Sequence, residues 1–196
     1  MLARTGLEPR AASRLQHIPA ETLTRVAADR RFRPVVDGRQ LPVHPFDPVA
    51  APSAAEVPLL IGTAVDDTAA FKFDSDPGIA GLDRAGLLAR VANHPAARFG
   101  DAAPVAVEAF AARAPGASDA ELLVAITSAT LREDTETVVR RKLAGGTAPV
   151  WEYIFAHRTP VPPGAFCSGD VLAWHGAELP FVFGDPERSR YAGTHA

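Results

Sequence analysis

Two side chains of this sequence, Asp67 and His175, are of the types that proton transfer in hydrolysis requires. A neutral imidazole can take a proton from a nucleophile and later give it to a leaving group. A carboxylate bonded to the other imidazole nitrogen fixes the tautomer and stabilises the imidazolium that forms. The two residues are 108 positions apart, so only the fold could bring them together.

Two apolar runs predict the strands that would position this pair. Val57–Gly62 is a continuous apolar run ended by glycine, which is typical of a strand buried on both faces of a parallel sheet. Pro149–Ala156 is rich in aromatic and β-branched residues on both faces and predicts a second interior strand. Since catalytic groups gather at the carboxyl ends of such strands, we expect Asp67 and His175 at one edge of the sheet, with Asp66 the weaker candidate for the acid.

The segment between the strands is predicted to be helical. Helical spacing covers Leu82–Asn93 and Ala102–Arg113. A third helix begins at the capping box of Ser118–Glu121, and a further helical stretch ends at Gly145-Gly146. Upstream, the first thirty residues are predicted to be helical pieces, whereas the six prolines of residues 31–58 predict a long loop of the kind that wraps one part of a chain over another.

Composition and charge exclude several classes of function. With 20 basic and 23 acidic residues and a net charge of -3, no basic surface is available to neutralise a nucleic acid backbone. The N-terminus has no apolar core of signal-peptide length, and no run approaches a membrane span. We therefore expect a cytoplasmic protein with neither nucleic acid nor membrane as a partner.

The spacing of the histidines and the presence of a single cysteine disfavour metal and thiol chemistry. The six histidines show no ligand spacing, and the single cysteine, Cys167, can form neither an intrachain disulfide nor a cysteine-rich zinc site. A nucleophilic pair of Cys167 with His175 lacks the electropositive setting that activates a thiolate. We expect no metal and no cofactor.

The order of strand, acid, helical excursion, strand and histidine corresponds to the last two members of a Ser-Asp-His triad in the α/β-hydrolase fold. The predicted fold class is therefore α/β, as the C-terminal portion of an α/β-hydrolase fold. Its sheet would be mostly parallel, with the helical excursion lying between the last strands.

Four segments resemble the C-terminal part of type B carboxylesterases, the family that includes para-nitrobenzyl esterases and cholinesterases. Phe32–Gly38, followed by Leu41-Pro42, resembles the family's F-x-P-V-V-D-G-x-x-L-P loop, and Pro58–Thr63 resembles its P-L-L-I-G-T strand. Ala64–Asp67 stands where the family has N-x-D/E-E, and Thr68 follows where many members carry glycine. His175–Gly184 resembles the H-G-x-E-L-P-F-V-F-G strip.

This resemblance implies that Asp67 is the triad acid, that His175 is the general base, and that the activity is hydrolysis of a small-molecule carboxylic ester. It covers residues from about 1 to 185, so that residues 1–196 are expected to be a partial type B carboxylesterase domain. None of the seven serines lies in a G-x-S-x-G nucleophile elbow. We expect the nucleophile-bearing N-terminal half and the final C-terminal segment of the family to be missing, and the isolated chain to be inactive.

A second hypothesis is that the chain is a non-catalytic fragment or remnant that acts as an interaction module. Interior strands without neighbours would expose apolar side chains and backbone edges, which predicts self-association. The side chains expected to be exposed in this way are Leu59, Ile61, Val150 and Ile154.

The remaining candidate side chains are expected to have structural roles. Glu178 could be a functional carboxylate, but three residues after the histidine it is expected to bond local backbone. A group of aromatic residues is expected in the core rather than at a ligand: Trp151, Tyr153, Phe155 and Phe181 to Phe183.

Overall fold

The computed structural model describes residues 2–28, 33–69, 78–94, 99–157 and 173–185. The chain divides into two compact units, Met1–Val43 and His44–Ala196. Strands and α-helices, numbered in chain order, are α1 (Ala20–Ala27), β1 (Leu59–Ala64), α2 (Arg84–Ala92), α3 (Ala103–Arg113), α4 (Asp119–Gly145), β2 (Val150–Phe155) and α5 (Leu179–Val182). Short 3₁₀ helices cover Leu2–Thr5, Pro9–His17, Pro52–Ala54, Ile79–Gly81 and Gly100–Ala102.

The first unit contains the predicted helical pieces and the beginning of the proline-rich loop. Helix α1 follows Pro19, whose ring is compatible with the start of a helix. In the loop, the Asp37 carboxylate accepts the backbone N–H groups of Arg39, Leu41 and Gln40 at 2.8 to 2.9 Å. These bonds hold the pKa of Asp37 below its ordinary value of 3.8, because they favour the charged carboxylate.

In the second unit, β1 and β2 form a parallel pair, with Leu59 opposite Val150 and Ala64 opposite Phe155. Both strands and their parallel direction were predicted correctly. Their burial on both faces was not, because Leu60 is 69% exposed and Trp151 is 54% exposed. Helix α4 packs against both strands.

The four strand residues expected to be exposed have different surroundings. Ile154 is half exposed, as predicted, whereas Leu59, Ile61 and Val150 are partly buried. Leu60 is the most exposed apolar side chain of either strand. In β1 the difference follows from the pleat, since Leu60 points to the face opposite Leu59 and Ile61. Val150 and Ile154 lie on one face of β2, so the pleat does not account for their difference.

The main core lies between α2, α3 and the first half of α4. Its buried side chains are Ile79, Leu87, Val91, Ala103, Val107, Ala120, Leu122, Leu123 and Ile126. A smaller cluster joins the ends of the strands to the segment near His175, and consists of Ala69, Val124, Trp174 and Ala177, with Phe155 packed against it. Helix α4 contributes to both clusters and is therefore the element that links them.

Helix α4 begins at the predicted capping box. The Ser118 hydroxyl accepts the N–H of Glu121 at 3.2 Å, and the Glu121 carboxylate accepts the N–H of Ser118 at 2.7 Å. The two helical stretches predicted here form one helix of 27 residues, because neither glycine nor proline interrupts the chain before Gly145.

The part of the proline-rich loop that belongs to the second unit folds against the C-terminal end of α4 through residues 46–55. Arg141 donates to the carbonyl oxygen of Phe46 at 2.7 Å. The buried Lys142 ammonium donates to the carbonyl oxygens of Ala54 and Ala55. A Cβ atom on Gly145 would lie 2.9 Å from the backbone nitrogen of Ala50, so this approach requires glycine.

The prediction that the aromatic residues of β2 and of the C-terminal strip lie in the core is wrong for most of them. Phe183 is 78% exposed, and Phe181, Trp151 and Tyr153 are exposed to smaller extents. Phe155 alone packs against a buried cluster. Within the strip, Leu179–Val182 form the single-turn helix α5, and the centroid of the Phe181 ring lies 5.6 Å from that of Phe155 and 5.0 Å from that of His157.

Within the described ranges, no helix combines the length and the apolar composition that a membrane span requires. Phe32, the first residue of the loop that resembles the esterase family, lies outside the described residues, as does Cys167.

Candidate functional site

The Asp67 carboxylate lies just beyond the carboxyl end of β1. Its side chain is only 8% exposed. One carboxylate oxygen, Oδ2, accepts the backbone N–H of Ala64 at 2.9 Å, which turns the side chain back over the last residue of the strand. The other oxygen, Oδ1, lies 2.7 Å from Nδ1 of His175. The two predicted site residues are therefore in hydrogen-bond contact across 108 positions.

The His175 imidazole is much more exposed than its partner, at 62% of its side-chain surface. When Nδ1 donates to the carboxylate, Nε2 is the acceptor nitrogen of the neutral ring. The arrangement thus combines a shielded acid with an accessible base.

Hydrogen bonds hold the two segments of the site together, and Asp66 provides two of them, one through its backbone and one through its side chain. The Asp66 N–H donates to the carbonyl oxygen of Ala173 at 2.9 Å, and its carboxylate accepts the Ala173 N–H at 3.2 Å. The His175 N–H donates to the carbonyl oxygen of Asp67 at 3.2 Å. Sequence reasoning compared Asp66 with Asp67 only as possible acids and missed this clamp, which depends on a backbone approach that no spacing reveals.

A buried group of hydroxyls lies beside the acid. Thr68, the residue after Asp67, contacts the Thr127 hydroxyl at 2.6 Å and the Ser128 hydroxyl at 3.1 Å, both on α4. The Thr68 N–H also donates to the Ser128 hydroxyl at 3.1 Å. Sequence reasoning did not select Thr127 or Ser128, since a hydroxyl inside a helical pattern is usually a surface residue or a bond to the preceding turn.

Glu178 departs from its predicted role. Its Oε2 atom is buried and has no hydrogen-bond partner among the described residues, so the expected bond from this oxygen to local backbone is absent. As for metals, the described ranges contain no group of three His, Cys, Asp or Glu side chains that could hold an ion.

Comparison with known proteins places this geometry in a carboxylesterase fold. No family model matches the chain. The structure is similar to carboxylesterase EST55 of Geobacillus stearothermophilus, with a TM-score of 0.68 and 28% identity for the crystal structure at pH 6.2. For the structure of that enzyme at pH 6.8, the TM-score is 0.65 and the identity is 27%.

The similarity covers 100% of this chain but only 39% and 37% of the two Geobacillus chains. The chain thus spans less than two fifths of the length of the enzyme that it matches. Its small parallel sheet and largely helical content match the fold of that enzyme and are consistent with a partial α/β-hydrolase domain.

Proposed function

We propose that this chain supplies the acid and the base of a serine carboxylic-ester hydrolase that acts on a small-molecule ester. The observation that carries the proposal is the 2.7 Å contact between Asp67 and His175 beyond the carboxyl ends of two parallel strands. Likeness to a carboxylesterase over the whole chain supports the same reaction class.

In the proposed reaction, a serine oxygen attacks the ester carbonyl while Nε2 of His175 accepts the hydroxyl proton. The same nitrogen then gives this proton to the departing alcohol, which leaves an acyl-serine. Water, deprotonated by the same imidazole, then attacks the acyl carbonyl, the bond to the serine oxygen breaks to release the carboxylic acid, and the imidazolium returns its proton to the serine. Throughout, Asp67 keeps the proton of the neutral ring on Nδ1 and stabilises the imidazolium by its charge.

The serine of this triad would come from a segment outside these 196 residues, since none of their serines lies in a nucleophile elbow. That segment could belong to the same protein or to a second polypeptide. The isolated chain is accordingly expected to be inactive, because the members of a triad act as a unit.

The test is to supply a nucleophile. The chain is purified alone, and it is also co-expressed with the part of the Geobacillus carboxylesterase that it does not match. Each preparation is treated with a fluorophosphonate serine probe, weighed intact, and assayed on a short para-nitrophenyl ester. We expect no adduct on the chain alone, and labelling with turnover in the complex.

His175→Ala and Asp67→Asn provide the decisive comparison. Both should leave complex formation intact and lower turnover, by at least 10³-fold for His175→Ala, as loss of a triad member does. A complex that labels and turns over equally well without His175 would contradict the proposal. Turnover by the chain alone that depends on His175 would show that a serine within these residues completes the site.

A second candidate is the interaction module, and the exposed apolar strand residues favour it. Leu60, Trp151 and Ile154 present apolar surface of the kind that marks contact sites. Association without His175-dependent turnover, in any preparation, would favour this candidate over the hydrolase.

A further inference from the structure

We propose that Thr68 and Ser128 are positioning residues for the acid, and that they act through a buried chain of hydroxyls that fixes Asp67 against α4. The inference rests on the proposed function, since it concerns how the acid of that site is held. It assigns a role to two residues that neither the motif resemblance nor the strand pattern identifies.

One order of donors and acceptors satisfies every hydroxyl, and the Val124 carbonyl oxygen lies beside it as a further acceptor, 3.3 Å from Thr68 Oγ1 and 3.2 Å from Thr127 Oγ1. The Thr68 N–H donates to Ser128 Oγ at 3.1 Å, and the Ser128 hydroxyl can donate to Thr68 Oγ1 at 3.1 Å. The Thr68 hydroxyl then donates to Thr127 Oγ1 at 2.6 Å. Finally, the Thr127 hydroxyl donates to the carbonyl oxygen of Leu123 at 2.7 Å. Each hydroxyl donates once and accepts once, so every proton in the chain has a partner.

The three side chains of this network are buried, so the loss of any of its hydrogen bonds is costly. Thr68, Thr127 and Ser128 are 9%, 1% and 0% exposed, respectively. A buried donor or acceptor that loses its partner carries the full cost of its desolvation. The network therefore resists any displacement of Thr68 relative to α4, and hydrogen bonds in such a chain polarise one another.

The network acts on the acid because Thr68 adjoins Asp67 in the chain. Helix α4 is held in the main core by Leu122, Leu123 and Ile126. The Asp67 side chain itself has only two bonds among the described residues, to the Ala64 N–H and to His175. Fixing the next residue to a rigid helix supplies the constraint that keeps Oδ1 at bonding distance from Nδ1.

The experiment reads the tautomer of His175 by ¹⁵N NMR on the chain as it exists, in alkaline buffer, where imidazoles are neutral. A carboxylate held at Nδ1 favours the tautomer with the proton on Nδ1. Loss of a hydroxyl from the buried hydroxyl network should lower the ratio of the Nδ1–H to the Nε2–H tautomer roughly two- to tenfold, the range expected for one hydrogen bond.

Three variants and two controls make the test specific. Ser128→Ala and Thr68→Val remove single hydroxyls, and Asp67→Asn removes the acid. Thr68→Ser keeps the hydroxyl and should restore the wild-type ratio. Thr130→Val removes a buried hydroxyl of α4 that donates to the Thr127 carbonyl oxygen at 2.7 Å. This hydroxyl is not part of the network that ends at Thr68, so the ratio should be unchanged.

The outcomes separate this inference from the proposed function. If Asp67→Asn leaves the ratio unchanged, the Asp67–His175 pair itself is overturned, and with it both proposals. If Asp67→Asn lowers the ratio but neither Ser128→Ala nor Thr68→Val does, the pair stands and the positioning role is overturned. Thr68→Val matches the wild-type threonine in size and lacks its hydroxyl, whereas Thr68→Ser keeps the hydroxyl and loses the methyl group. A lower ratio in Thr68→Val but not in Thr68→Ser therefore reports the hydroxyl even if Ser128→Ala fails to fold.

Discussion

Gly62 is the residue on which the pairing of the two strands depends most closely. It lies opposite Tyr153 in the parallel ladder. A Cβ atom at position 62 would lie 2.5 Å from the Tyr153 carbonyl oxygen and 2.6 Å from two of its ring carbons. Since one of these contacts is to backbone, a side-chain rotation cannot relieve it. The tyrosine ring occupies space that only glycine leaves open.

We expect Gly62→Ala to lower the free energy of unfolding by about 1 to 3 kcal/mol, the usual cost of overpacking. Urea denaturation followed by circular dichroism measures the change. Gly81→Ala is the matched control, because nothing lies within 4 Å of a Cβ atom there. Equal stability of the two variants would contradict this account of the strand pair.

At the same scale, the sequence identified Asp67 and His175 because their types, their order and the strands before them form a recurrent chemical pattern. It did not identify the Asp66 clamp on Ala173 or the hydroxyl of Ser128. These contacts join residues 107 and 60 positions apart and involve groups that occur in many unrelated settings. Their role becomes visible only in the structure, where α4 packs against the loop after β1.

Among the elements, α4 has the clearest local cause. Its capping box uses the Ser118 hydroxyl and the Glu121 carboxylate to satisfy amides that would otherwise lack partners. Arg84 at the start of α2 also bonds Asp119 in the first turn of α4 at 2.8 Å, which joins the N-terminal ends of the two helices.

We expect Ser118→Ala to lower the free energy of unfolding by about 1 kcal/mol, as loss of an N-cap does. Ser53→Ala is the control, since Ser53 is exposed in a short 3₁₀ helix whose N-cap makes no side-chain hydrogen bond. Thermal melts of both variants measure the difference. A wild-type melting temperature for Ser118→Ala would show that tertiary packing alone determines where α4 begins.

Element predictions succeeded where local signals are strong and failed where surroundings decide. The capping box and Gly145 correctly gave the ends of α4, and composition correctly gave both strands. Burial was wrong for Trp151 and Phe183, because apolar composition predicts a covered strand or strip whether or not a covering layer is present. The missing information concerns neighbours, which a local pattern does not contain.

At the scale of the whole molecule, we propose that the exposed strand surface causes self-association. Leu60→Lys should shift the chain toward the monomer in sedimentation velocity, because a charge resists burial in an apolar contact. Val105→Lys is the matched control: Val105 is also 69% exposed, but it lies on α3, away from the strands. A wild-type chain that sediments as a single monomer at every concentration would contradict this proposal.

The contact between Asp67 and His175 also has a consequence for folding kinetics. It closes a loop of 108 residues, and the β1–β2 ladder beside it is similarly non-local. Closing a long loop costs chain entropy before the contacts that it permits can stabilise the structure, so such pairings form slowly. Helices, in contrast, relax within about a microsecond. In refolding, the helical signal should therefore recover before the His175 resonance. The acid and base meet only in chains that have completed the slowest step of their folding.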